Sequence, residues 1–169
     1  MMKEQPVFRF AEEDDVGKIL FFIRELAAYE KLESEVVATE ELLREWIFEK
    51  NKAEVLFVQC GGEDVGFALF FHNFSTFLGR AGIYLEDLYV MPEYRGKGLG
   101  KALLQRLAQI AVERGCGRLE WWWLDWNRPS IDFYLSLGAQ PMDEWTMYRV
   151  ADKALPSLAE GRPIPFSRP

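Results

Sequence analysis

One junction restricts the fold of this chain more than any other feature. The run from Ile83 to Val90 is rich in β-branched, aromatic and leucine residues, which fit a pleated strand, and it ends at Met91-Pro92-Glu93-Tyr94. The chain then passes through Arg95-Gly96-Lys97-Gly98-Leu99-Gly100-Lys101 into a segment whose apolar residues Leu99, Ala102, Leu103, Leu107 and Ile110 share one helix face, closed by Gly115. A strand that feeds an amphipathic helix through a short glycine loop must lay that helix on a sheet, so the chain is an α/β protein.

The remaining segments fit around this unit. A short N-terminal strand leads to a helix from Asp14 to Tyr29 with an inward stripe of Val16, Ile19, Leu20, Ile23 and Leu26. Thr39 is placed to cap a second helix that turns Leu42, Leu43, Trp46 and Ile47 inward. Val55 to Cys60 and Val65 to Phe71 read as a hairpin across the turn Gly61-Gly62-Glu63-Asp64. Beyond the central helix come a strand from Arg118 to Leu124, a short helix from Asn127 to Gly138, and a last strand from Glu144 to Val150. The expected architecture is one α/β domain with a mixed, mostly antiparallel central sheet flanked by helices. That domain covers residues 1–155, and residues 156–169 form a proline-bearing surface arm. With 169 residues and 49% hydrophobic content, the chain can fill one core but is short for two.

The glycine loop carries the first chemical signal. Its glycines permit tight turns and expose backbone N–H groups, the helix beginning near Gly98 adds its positive end, and Arg95, Lys97 and Lys101 add charge. Such a loop suits a diphosphate. A nucleotide-triphosphate loop would need glycine at Arg95 and Ser or Thr at Ala102. The dinucleotide fingerprint fails because Gly96, Gly98 and Gly100 are evenly spaced.

At Arg95, Gly98 and Gly100 the chain resembles the GNAT superfamily of N-acetyltransferases, whose coenzyme A loop reads Arg/Gln-x-x-Gly-x-Gly/Ala. Within it, Leu26-Ala27-Ala28-Tyr29-Glu30, Tyr84-Leu85-Glu86-Asp87-Leu88-Tyr89-Val90-Met91, Tyr94-Arg95-Gly96 and Asp125-Trp126-Asn127 through Phe133-Tyr134 are similar to the branch that acetylates diamines, polyamines and thialysine. The likeness runs from about Val7 to Val150. It implies a GNAT-like sheet, acetyl-CoA as cosubstrate without a metal, a small cationic amine as acceptor, direct attack in a ternary complex, and a homodimer.

The same resemblance implies residue roles. An amine must lose a proton before it attacks, because an alkyl ammonium has a pKa near 10. Glu86 is the implied base, acting through water, and an acid within an apolar run is where burial can raise a pKa. The backbone of Leu88, Tyr89 and Val90 is implied to hold the pantetheine arm, with the Leu88 N–H directed at the thioester carbonyl. Arg95, Gly96, Lys97, Gly98, Leu99, Gly100 and Lys101 would hold the diphosphate, and Asn127, Ser130 and Tyr134 would also bind the coenzyme. Tyr134 is also the implied acid for the departing thiolate, and Asn127 reads equally as a helix cap. Tyr29, Glu30, Glu86, Asp87 and Trp145 would receive the amine through carboxylates and aromatic faces. Ser75 and Phe77 stand where the polyamine enzymes carry Asp and Trp, which favours a lysine-like or shorter amine over long polyamines.

Charge and composition set the outer limits. A net charge of −7 argues against a nucleic-acid binder and suits an acceptor that is a cation. The apolar runs are far shorter than the roughly 20 residues of a membrane span, and the first residues lack the pattern of a secretory signal, so the expected location is the cytoplasm, with Cys60 and Cys116 reduced. One histidine, His72, and no close Cys/His cluster leave a metal site without its usual ligands. The competing reading is a non-catalytic acyl-CoA sensor; the presence of both Glu86 and Tyr134 argues against it.

Overall fold

The strand-forming runs and three amphipathic stripes resolve, in the computed structural model, into a five-stranded sheet with helices packed on it. The structure describes residues 6–123 and 128–163. It divides into two units, residues 1–123 and 124–169. The first contains β1 (Val7–Phe10), α1 (Val16–Glu30), α2 (Glu40–Leu43), β2 (Glu54–Cys60), β3 (Glu63–Ser75), β4 (Arg80–Val90), α3 (Leu99–Glu113) and β5 (Leu119–Trp121). The second contains α4 (Arg128–Ser136) and α5 (Ala154–Ala159). The strands lie in sequence order; β1 to β4 pair antiparallel and β5 joins β4 in parallel, so the sheet is mixed as expected.

The core follows the aromatic content of the strands. Phe22 of α1 stacks on Phe67 of β3 at 5.4 Å between ring centroids, and Ile19, Ile47, Val55, Phe57 and Tyr89 close around them. The expected stripe of α1 is displaced slightly: Phe22 and Ala27 are fully buried, whereas Ile23 and Leu26 pack at the margin. On the opposite sheet face α3 buries Leu99, Leu103, Leu104, Leu107 and Ile110, following the sequence periodicity.

Three expectations are corrected. The second helix is capped by Thr39, whose Oγ1 accepts from the Leu42 N–H at 3.3 Å, but after Leu43 it becomes a π-helix over Arg44–Glu49. The wider turn rephases the side chains: Ile47 stays buried while Leu42 and Trp46 face water, and Trp46 takes the Lys50 ammonium on its ring face at 3.9 Å. The hairpin turn is shorter than expected, because Gly61 and Gly62 both adopt positive φ (60° and 85°), which closes the loop in two residues and lets β3 begin at Glu63. The third concerns residues 144–150, which form no strand among the described residues. Alternation alone cannot make a strand without a neighbour that supplies the ladder. Trp145, Met147, Tyr148 and Val150 instead stand exposed.

One polar network ties the sheet edge to α1. Arg9 on β1 pairs with Asp15, which precedes α1, and with Asp64 on β3; Asp64 also receives Lys18 and Gln59. Burial by itself would raise the Asp64 carboxyl, but the hydrogen bonds from Arg9, Lys18 and Gln59 outweigh it and hold the group at about 2.

Candidate active site

The site is built by an irregularity in β4. Leu69 of β3 pairs with Asp87, but the next residue, Phe70, pairs with Leu85, so Glu86 is an extra residue in the ladder: a β-bulge. Before the bulge the Ile83 N–H points to the β5 side, where it donates to the Arg118 carbonyl at 2.9 Å. Beyond it the phase is inverted, for the Met91 N–H points to β3 and donates to the Val65 carbonyl at 2.9 Å. Backbone groups alternate along a strand, so Leu88 and Val90 direct their N–H and C=O groups away from β3. Among the described residues, β5 pairs with β4 only as far as Leu85 opposite Trp121. The Leu88 N–H therefore faces the open side of the strand, the orientation an oxyanion donor requires.

The bulge also arranges the acids. Tyr89 is buried in the core against Phe22 of α1, so Asp87, two residues earlier, belongs to the α1 face. Its carboxyl is pushed up to about 7, first by burial and then by the charges of Glu86 and Glu30. Glu30, at the end of α1, is likewise raised by burial. Tyr84 is pushed up to about 12 by burial and by Glu86 and Glu120. Sequence reasoning placed the buried acid at Glu86; in the structure Asp87 is the half-buried acid and Glu86, the extra residue of the bulge, is exposed. No sequence signal marks that bulge. Carboxylates gathered at the C-terminal end of α1, itself the negative end of a helix dipole, make a place that favours a cation.

The glycine loop lies directly after β4. Pro92–Tyr94 forms one turn of 3-10 helix, Gly96 and Gly98 take positive φ of 73° and 83°, and Gly98 is the N-cap of α3. These angles suit glycine alone, and a Cβ at either position would point into open space, the approach a ligand would use. The N–H groups of Leu99, Gly100 and Lys101 open the first turn of α3, where no intrahelical carbonyl serves them. Leu88 lies on the same side, since its side chain would be 3.8 Å from a Cβ at Gly100. Lys97 and Lys101 are exposed, with the Lys97 ammonium 4.7 Å from the centroid of the Tyr94 ring. The Arg95 side chain instead turns back to β4: its Nε donates to the Val90 carbonyl at 2.9 Å, and its guanidinium lies over the rings of Tyr29 (4.7 Å) and Tyr89 (5.2 Å). Tyr29, expected to face the amine, thus already carries a cation on its ring.

The structure therefore brings together Tyr29, Glu30, Glu86, Asp87, Leu88, Tyr89, Val90 and the loop from Arg95 to Lys101. Ser130, Tyr134 and Trp145 belong to the unit of residues 124–169, where Ser130 and Tyr134 are half-buried on α4, Phe133 and Tyr134 pack at 5.5 Å, and Trp145 is exposed. Asn127 lies outside the described residues. Ser75 is buried, and its Oγ accepts from the Leu78 N–H at 3.2 Å, whereas Phe77 is 98% exposed. Cys60 and Cys116 are free thiols. Among the described residues no helix is long and apolar enough to cross a membrane, and no three His, Cys, Asp or Glu side chains gather as a metal site.

An open strand backbone beside a glycine loop at a helix N-terminus, with carboxylates on the adjoining face, defines an acyltransferase of mixed α/β fold. The chain matches the acetyltransferase (GNAT) family over residues 20–139 and belongs to that family. It is 41% identical to the thialysine N-epsilon-acetyltransferase of Bos taurus over 167 residues, covering 90% of this chain and 96% of that protein. It is 32% identical over 162 residues to the spermidine/spermine N(1)-acetyltransferase-like protein 1 of Homo sapiens, covering 89% of this chain but 23% of that longer protein. Among solved structures, an integron cassette protein from V. cholerae superposes with a TM-score of 0.78 at 26% identity, over 94% of this chain and 99% of that one.

Proposed function

We propose that this chain acetylates the amine of a small cationic metabolite, taking the acetyl group from acetyl-CoA in a ternary complex. The observation that carries the reading is the bulge at Glu86, which turns the Leu88 N–H to the open side of β4 and sets Asp87 on the face shared with Glu30. Acetyl-CoA would supply an activated thioester; the loop N–H groups and the open backbone of β4 fit its diphosphate and pantetheine arm. The similarity to enzymes named for thialysine and for spermidine/spermine supports a cationic amine as acceptor.

In this reading Glu30 and Asp87 receive the ammonium end of the acceptor. A bound cation lowers the Asp87 pKa toward its ordinary value, so binding and ionisation favour each other. Glu86, exposed to solvent, takes the proton from the attacking nitrogen through a water, and the Leu88 N–H stabilises the thioester oxygen as it gains charge. From the resemblance to the family, Tyr134 is assigned as the acid for the departing thiolate, Asn127 and Ser130 as further coenzyme contacts and Trp145 as a contact of the amine. Ser75 is committed to a turn and Phe77 to solvent, so neither offers a second cation partner. A lysine-like or shorter amine therefore fits better than a long polyamine. The enzyme would work as a homodimer in the cytoplasm.

The test is release of free thiol from acetyl-CoA with lysine, thialysine, ornithine, diamines and spermidine as acceptors. Turnover should be greatest for lysine-like amines. Tight coenzyme binding without thiol release for any amine would replace the enzyme with an acyl-CoA sensor.

A further inference from the structure

The loop cation nearest to β4 in sequence turns its side chain back onto β4 and α1. Arg95 sits where its charge could serve a diphosphate, and it is exposed enough to reach one. Yet its Nε donates to the Val90 carbonyl, and its guanidinium carbon lies 4.7 Å and 5.2 Å from the ring centroids of two tyrosines from different elements, Tyr29 on α1 and Tyr89 on β4. Tyr89 is itself anchored: the ring is buried and its hydroxyl bonds to Glu25 Oε2 at 3.3 Å. Val90 is one of the two residues that the bulge turns to the open side of the strand, so its carbonyl would otherwise be an unpaired acceptor at the end of the sheet.

We infer that Arg95 is a positioning residue, a strut that fixes the open end of β4 against α1 and so shapes the pantetheine channel, rather than a ligand of the diphosphate. This rests on the acyltransfer reading above. The strut works through a planar donor at one position along the side chain. In glutamine the amide nitrogen follows three carbons from the backbone, as Nε does in arginine, so Arg95→Gln keeps the donor to Val90 and a flat group for the rings while losing the charge. Lysine has a methylene at that position, so Arg95→Lys keeps the charge and loses the strut. The two substitutions rank oppositely for a strut and for a phosphate ligand.

Equilibrium binding of CoA and of pantetheine, which lacks the diphosphate, separates the two roles without requiring turnover. For a strut, Arg95→Gln binds both within about threefold of the unaltered chain, while Arg95→Lys weakens both by the same factor, roughly five- to tenfold for loss of one hydrogen bond and its ring contacts. Tyr29→Leu, outside the loop, should also weaken both when no amine is present. A loss confined to CoA, larger for Arg95→Gln than for Arg95→Lys, overturns the strut and makes Arg95 a phosphate ligand; unchanged binding in all three variants overturns the strut and the phosphate contact alike. If Arg95→Lys fails to fold, Arg95→Gln and Tyr29→Leu decide between the same outcomes. An unaltered chain that binds neither compound refutes the acyltransfer reading itself, and the strut with it.

Discussion

Asp87→Asn preserves the shape of the side chain while removing its charge, and its effect on stability should depend on pH. The fold lifts this carboxyl from its ordinary 3.8 to about 7, through burial and then through the charges of Glu86 and Glu30. Between those two values the folded chain keeps a proton that the unfolded chain has released. The raised pKa thus costs nothing below about pH 4, and the cost grows until the pH passes about 7. At about 1.36 kcal/mol per pH unit the full penalty approaches about 4 kcal/mol. An asparagine amide must also be buried, at about 1–2 kcal/mol, which leaves the variant a net gain of about 2–3 kcal/mol. For a chain of this size that is a rise in Tm of about 4–12 °C. Thermal unfolding by circular dichroism should show the gain at pH 8.5 and near-equality at pH 5. A difference between the two chains that is the same at both pH values would refute the raised pKa of Asp87. The same variant should also raise the KM for the amine, since stability gained at the site is taken from cation binding.

Gly98→Val places a β-branched side chain at φ 83° and into the approach to the α3 N-terminus; calorimetry should find acetyl-CoA affinity reduced at least tenfold, and wild-type affinity would remove the loop from the coenzyme site. Tyr134→Phe keeps the ring packed on Phe133, so folding and coenzyme affinity should survive while kcat falls roughly ten- to ten-thousand-fold, and a thioester with a more acidic thiol should recover rate; an unchanged kcat with chemistry limiting would make Tyr134 a packing residue. Asp64→Asn should cost about 1–2 kcal/mol in urea unfolding at pH 7, a value discounted because Arg9 and Lys18 remain accessible to water. Because the folded pKa of Asp64 lies below its ordinary value, its contribution is present above about pH 4 and lost as the pH falls to about 2; a cost that persists unchanged at pH 2 would show that the network is not ionic.

Local chemistry made much of this molecule legible from the chain alone. The periodicity of Leu99, Leu103, Leu107 and Ile110 fixed which face of α3 would be buried, and Thr39 marked a helix start, because both depend on residues within a few positions of one another. The loop from Arg95 to Lys101 was recognisable for the same reason: glycine φ angles and a helix N-terminus are local properties. What escaped were the features set by partners distant in sequence. The π-helical turn at Arg44–Glu49, which exposes Trp46, is decided by how that helix seats Ile47 in the core. Residues 144–150 have strand-like alternation, but a ladder needs an edge to pair with, and alternation does not supply one.

The active-site candidate divides along the same line. The sequence determined that Glu86 and Asp87 would sit in a strand before a phosphate-suited loop, and on strict alternation they would point to opposite faces. Only the tertiary structure decided that β3 and β4 fall out of step by one residue at Glu86, since register is a property of two strands together and is written in neither. That single offset sends Asp87 to the face of Glu30, raises its pKa, and turns the backbone of Leu88 and Val90 toward the open side. The direction of the Arg95 side chain was likewise hidden, because the loop shows only a cation near phosphate donors, whereas the rings that hold it come from α1 and β4 and meet only in the folded chain.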